Sequence, residues 1–356
     1  MFVGLQLGQV MSSLDATIVS TARPSIVDDV GGRSRSTLVV VAYTLAFVAV
    51  MPLYGKLGDL YGRKRVFLVA VGVFLTASVC CGAARTMDQL LAARCLQGVG
   101  GGGLGVLSMA TLADIVPARR LGRWLGYQGV IYAVASLLGP LVGGLFVDHL
   151  SWRWAFLVNL PVGLVAAGIV GRWLRVPVRR VRHRLDLAGA ASLTSALAGL
   201  VALATLGGER FAWSSPTALA LAIAVVGLAG VFLAVERRAP EPVLPLSLFR
   251  EPVLRAVVGI NLTSGLLLWC GLFFVPQFLQ EALGVSPTRS GLVLTPLMFG
   301  AAAGTLVSGR RVERSGRYRA WPLAGGVLMT AGVASLALLG PDTPALAAAP
   351  CVLLLG

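Results

Sequence analysis

Charge is scarce in this chain. Of its 356 residues only 13% are Asp, Glu, Lys or Arg, against roughly 25% in an average soluble domain. A protein of this length folded in water would need far more polar surface, so the composition excludes a soluble enzyme. Acid is scarcer still, with 15 Asp and Glu against 30 Lys and Arg. Histidine occurs twice, and the five cysteines (Cys80, Cys81, Cys95, Cys270, Cys351) include no CxxC pair. No disulfide framework, zinc site or other metal site is therefore expected, and the thiols read as helix-packing groups. The sequence has no P-loop, catalytic triad or metal-ligand cluster, so neither an enzyme nor a cofactor is expected. Gly98, Gly100 and Gly103 satisfy GxGxxG, but no strand precedes them, so they do not form a dinucleotide site. Asn261-Leu262-Thr263 fits a glycosylation sequon but lies within an apolar run. The amino terminus has neither a basic leader nor a small-residue cleavage site, and no cleaved signal is expected.

Apolar sequence is abundant: 56% of residues are hydrophobic, and 44 glycines and 18 prolines are distributed among them. A helix needs about 20 mostly apolar residues to cross a bilayer. That rule predicts spans near 2–23, 37–55, 66–84, 88–113, 122–147, 153–173, 187–207, 216–235, 256–280, 289–309 and 320–340, with a twelfth run from 345. Run length and the lack of strict alternation favour helices over strands. The fold class expected is an all-α polytopic membrane protein.

The basic residues test this map. Alternate loops hold Lys56, Arg63, Lys64 and Arg65; Arg119, Arg120 and Arg123; Arg172, Arg175, Arg179, Arg180, Arg182 and Arg184; Arg237, Arg238, Arg250 and Arg255; and Arg310, Arg311, Arg314, Arg317 and Arg319. The other loops hold only Arg33, Arg35, Arg85, Arg153, Arg210 and Arg289. So lopsided a distribution places the amino terminus and the basic loops in the cytoplasm of a cell whose cytoplasmic membrane holds the protein. The net charge of +15 then encodes orientation rather than affinity for nucleic acid. The 172–184 loop is also a candidate contact for anionic lipid. Trp152, Arg153 and Trp154 read as an interfacial anchor.

GKLGDLYGRKR at 55–65 resembles GRRVERSGRYR at 309–319. Gly55 matches Gly309, Gly62 matches Gly316, Arg63 matches Arg317, and Asp59 and Glu313 keep their charge. Parallel repeats of this kind build many transporters. The first copy follows span two and the second span ten, so two helices are inserted between six-helix bundles. The domains expected are 1–175, a six-helix bundle; 176–186, a basic loop; 187–236, the inserted pair; 237–255, a loop; and 256–356, a second bundle left incomplete by a chain that stops within helix twelve.

Two charges lie inside spans. Asp15 is the only acid placed deep in one, and a charged carboxylate there costs roughly 2.5–3.5 kcal/mol on insertion scales unless it has a cavity or a partner. Arg94 is the matching base. At ~1.5 Å per residue the two fall at similar depth. Glycines in the 55–65 turn supply positive φ or room for close packing, while Asp59 can pair with a cation or helix end. In the fifth span Pro140 can kink the helix, and Gly139 and Gly143 form a flat packing face.

These segments carry a family resemblance. GKLGDLYGRKR resembles the signature loop of the major facilitator superfamily. LDATIV at 14–19 with Pro24, LLAARCLQGVGGGG at 90–103 and ASLLGPLVGG at 135–144 resemble the further motifs of its fourteen-helix drug:proton antiporter branch. Ala135 stands where the last of these has Gly, and Arg23 where the family has an apolar residue. The resemblance implies the major facilitator fold and a monomeric antiporter that exchanges protons for lipophilic small molecules, cationic drugs among them, by alternating access. It assigns proton coupling to Asp15 and Arg94, and gating to Gly55, Asp59, Gly62, Arg63, Lys64 and Arg65. It gives a hinge to Gly139, Pro140, Gly143 and Gly144, and a second-half loop to Gly309, Glu313, Gly316 and Arg317. The alternatives are an exporter of one metabolite or siderophore and a truncated, non-transporting membrane protein.

Overall fold

The computed structural model describes residues 2–356 apart from 33–34, 175–185, 209, 241, 286, 317 and 341–342. It leaves out the side chains of 16, 20, 118–119, 132–133, 136–137, 140, 273, 287–290 and 345. Arg317 and most of the basic 176–186 loop thus lie outside the described residues.

The described residues form helices and no strand: α1 Phe2–Val30, α2 Ser36–Tyr61, α3 Arg63–Ala83, α4 Met87–Ile115, α5 Ala118–His149, α6 Trp154–Leu157, α7 Asn159–Trp173, α8 Leu187–Leu206, α9 Pro216–Glu236, α10 Pro252–Glu281, α11 Pro287–Ser315, α12 Ala320–Ala337 and α13 Ala348–Leu355. Every predicted apolar run falls on a helix. The sixth is broken between α6 and α7, and the first continues past Pro24 to Val30. Among the described residues, nine segments are long and apolar enough to cross a membrane. α1 carries Gln6, Gln9, Asp15 and Arg23 among its apolar residues, and α5 opens on arginines before an uncharged apolar stretch over 129–146.

Local chemistry fixes several ends. Asp186 caps α8 by accepting from the Gly189 amide at 2.9 Å. Ser215 caps α9 at the Ala218 amide, with Pro216 in the first turn, where no amide partner is needed. The α2–α3 turn closes on Gly62 at φ 88°, and α11 ends before Gly316 at φ 67°. Both matched glycines occupy the left-handed region that a side chain disfavours.

The chain divides into two compact units. The first comprises residues 1–115 and 135–246. Within it α2 and α3 pack on α4, and α8 and α9 pack on each other. α8 lies on α2, where Thr194 Oγ1 donates to the Ala49 carbonyl at 2.9 Å. Two apolar clusters fill this unit. One joins Ile18, Val19 and Ile26 to Leu90, Trp152 and Phe156; the other joins Leu5 and Met11 to Phe67, Phe74, Leu104 and Leu107. Trp152 is buried rather than interfacial. Its indole N–H donates to Asp29 at 2.9 Å and Arg153 donates to the same oxygen at 2.6 Å. The Trp152 hydrogen bond, and then that from Arg153, hold the Asp29 carboxyl below the usual carboxylate range. Of the cysteines, Cys81 and Cys351 are packed, whereas Cys80, Cys95 and Cys270 lie exposed on helix surfaces.

The second unit comprises residues 116–134 and 247–356. α13 packs on α11 and α12 around Val275, Leu279, Val293, Leu297, Val352 and Leu355. The first half of α5 lies so close to α11 that a Cβ at Gly122 would sit 3.2 Å from the Gly309 Cα.

The glycine run of α4 sets the spacing in the first unit. A Cβ at Gly100 would stand 2.6 Å from the Phe74 backbone nitrogen, and one at Gly103 2.8 Å from Ala70 Cβ and the Tyr54 ring. Gly72 on α3 has nothing within 4 Å. Thermal unfolding in detergent should separate the two cases. Gly100→Ala should destabilise by about 1–3 kcal/mol, the usual cost of overpacking a core. Gly72→Ala should be neutral or stabilise by up to ~1 kcal/mol.

Candidate functional site

Asp15 and Arg94 meet at the centre of the first unit, and both are 0% exposed. Depth alone did not guarantee that they would face each other. Their facing follows from α1 lying against α4, where Ser108 Oγ also donates to the Leu5 carbonyl at 3.0 Å. Arg94 Nη1 donates to Asp15 Oδ2 as a fully buried ion pair. The same nitrogen donates to Gln97 Oε1 at 2.7 Å, and Arg94 Nε donates to the Val39 carbonyl at 3.1 Å. The guanidinium lies over the Tyr43 ring at 4.4 Å and the Phe156 ring at 5.7 Å. Tyr43 in turn shares a 2.7 Å hydrogen bond with Ser12 on α1.

Sequence reasoning missed the residues that hold the second carboxylate oxygen. Asp15 Oδ1 accepts from Gln97 Nε2 at 2.7 Å and from Asn159 Nδ2 at 3.1 Å. Both amides also donate to Ser78 Oγ, at 2.9 and 3.4 Å. Asn159 opens α7 directly after the break at Val158, and that break lets its side chain reach α1. A signal was present, since Asn159 is a lone amide in an apolar run. Nothing in the sequence named its partner 144 residues away. Three helices, α1, α4 and α7, thus meet at one carboxylate, and α3 joins them through Ser78. Arg94 Nη2 is buried without a hydrogen-bond partner, so the guanidinium keeps the two N–H groups of that nitrogen in reserve.

At the α2–α3 turn Arg63 Nη2 pairs with Asp59 at 3.0 Å, and its Nε pairs with Asp114 at the end of α4 at 2.6 Å. Asp114 was a second omission, because an acid at a helix end also reads as merely solvated. Lys64 Nζ donates to the Gly171 carbonyl at 2.7 Å, Arg65 is exposed, and Gly55 lies within α2, where an added Cβ would stand 3.9 Å from Val106 Cγ1. In the second unit Glu313 is approached by Arg123 at 3.3 Å and Arg120 at 3.5 Å. The acid of each matched loop therefore meets arginine.

In α5 a Cβ at Gly139 would collide with Thr17 Oγ1, and one at Gly143 would lie 3.1 Å from the Ile18 carbonyl. Both glycines seat α5 on α1 just beyond Asp15. Gly144 has nothing within 4 Å. The helix runs unbroken through position 140.

The profile of the Major Facilitator Superfamily matches residues 5–356. The chain belongs to that family. It is 35% identical to the multidrug transporter protein MdtP of Bacillus subtilis over 361 residues, an alignment that takes in 100% of this chain and 66% of MdtP. It is 33% identical to the efflux pump FUS6 of Gibberella moniliformis over 348 residues, covering 95% of this chain and 62% of the pump. The chain thus spans less than two thirds of either relative's length. Among solved structures, the proton:xylose symporter XylE superposes with a TM-score of 0.66 at 16% identity, covering 99% of this chain and 77% of that one. That likeness establishes the fold. The protein is accordingly a multi-pass membrane protein of the all-α major facilitator fold.

The buried pair has a measurable energy. Breaking a buried ion pair by removing one partner costs about 3–5 kcal/mol, because the other charge is left uncompensated. Asp15→Asn and Arg94→Leu should each destabilise on that scale. The double variant should fall well short of their sum in a double-mutant cycle read by thermal unfolding.

Proposed function

We propose that the protein is a proton-coupled exporter of lipophilic small molecules, working by alternating access in the cytoplasmic membrane with its amino terminus in the cytoplasm. The Asp15–Arg94 pair carries the reading. With Asp15 ionised, its two oxygens accept from Arg94, Gln97 and Asn159, so α1, α4 and α7 are held to one point. A proton on Asp15 cancels the charge that Arg94 faces, weakening the tie between α1 and α4. An equilibrium between two conformations follows the difference in proton binding between them. The membrane potential adds ~2.3 kcal/mol per charge per 100 mV.

The loops supply the gate in this reading. The Asp59–Arg63–Asp114 cluster ties the ends of α2, α3 and α4, and Glu313 with Arg120 and Arg123 ties α5 to α11. These ion pairs act as latches that are made in one conformation and released in the other. Gly139, Pro140, Gly143 and Gly144 form the hinge, with Gly139 and Gly143 seating it on α1. The two relatives whose names speak of multidrug transport and efflux support export over uptake. Residues 187–236 are the pair inserted between the two bundles, and the protein works as a monomer.

The test is gradient-driven transport by the full-length protein in proteoliposomes. An imposed pH gradient should drive counter-movement of a lipophilic dye, and an uncoupler should stop it. Asp15→Asn should reduce gradient-driven transport to background while the protein still inserts. Transport that survives both the uncoupler and Asp15→Asn contradicts the mechanism.

A further inference from the structure

Arg23 has no place in the coupling network. It is exposed on α1, seven residues before the helix ends, and takes part in no ion pair or hydrogen bond among the described residues. It also continues a pattern. Gln6, Gln9, Ser13, Ser20 and Arg23, interrupted only by Ala16, recur at alternating steps of three and four, which places them within an arc of about 100° on the helix. A polar stripe along a membrane helix faces a polar space rather than lipid. At the other end of the stripe Gln6 is 3% exposed, yet its Oε1 has no hydrogen-bond partner. That buried acceptor is left for water or for a ligand donor. Asp15 lies on a different side of α1, enclosed by its partners.

The charge balance along this stripe is one-sided. Among the described residues Asp15 is the only acid in a helix interior, and it is buried and neutralised by Arg94. The other helical acids, Asp28, Asp29, Asp59, Asp88, Asp114, Asp148, Glu236, Glu281 and Glu313, sit in end turns, Asp28 and Asp29 in the last turn of α1 beyond Arg23. Between Gln6 and Arg23 a cation moving along the stripe meets no carboxylate on that face, and it is repelled by Arg23; Asp29, beyond it, is held by Trp152 and Arg153. An anion meets a guanidinium whose planar donor fork matches carboxylate, sulfonate or phosphate.

We propose that the substrates are amphiphilic organic anions, an acid group on an apolar body, and that Arg23 binds the acid group. This rests on the exporter reading above and names its substrate class.

The test compares three matched fluorescent dyes in proteoliposomes of the full-length protein: one acidic, one uncharged and one quaternary ammonium. The wild type should carry the acidic dye in preference. Arg23→Leu should raise the KM for that dye by about tenfold or more, the loss expected for one charge-assisted hydrogen bond, and leave the uncharged dye unchanged. Arg23→Lys, which keeps the charge but not the fork, should recover part of the loss and guards against misfolding of the leucine variant. Preference for the ammonium dye, or an acidic-dye KM unmoved in Arg23→Leu because the side chain only snorkels, overturns the charge assignment alone. Failure of the wild type to move any of the three overturns the exporter reading with it.

Discussion

A carboxylate and a guanidinium sealed from solvent in a chain this apolar constrain everything around them. Neither charge is stable there alone, so α1 and α4 must lie at a fixed height and rotation to bring Asp15 to Arg94. The remaining lone pairs then need donors, and those come from Gln97 one turn further along α4 and from Asn159 on α7. The break between α6 and α7 and the tight seat of α3 on α4, which brings Ser78 within reach, serve that network.

The glycines of α4 belong to the same design. Backbones as close as those of α3 and α4 at Gly100 exclude a single methyl group, and close approach of this kind drives helix association where lipid offers no hydrophobic gain. A packed interior does not deform continuously, so in the proposed mechanism the helices around the buried ion pair switch between discrete arrangements. The free Nη2 of Arg94 matters here. A guanidinium with the N–H groups of one nitrogen unspent can exchange partners with less loss than one fully satisfied.

Much of this architecture was legible in the residues. Run length placed the helices because a bilayer sets a fixed requirement, and the constant rise of a helix put Asp15 and Arg94 at one depth. Positive φ at both Gly62 and Gly316 accords with the pairing of the two loops by sequence. The omissions have a common cause. Asn159, Ser78 and Asp114 are residue types that occur harmlessly in membrane helices and at their ends, and only long-range packing makes them partners. Trp152 was misread for a similar reason: an aromatic beside an arginine at a helix end fits an interfacial belt equally well until Asp29 is brought to its indole.

The central claim is that the Asp15–Arg94 pair changes its proton content as the transporter binds its substrate. The direct measurement is proton release on substrate binding, followed with a pH indicator or by calorimetry in buffers of different ionisation enthalpy, for the purified full-length protein near neutral pH. The account predicts release by the wild type, and binding without release by Asp15→Asn. Equal proton release from both proteins would contradict it.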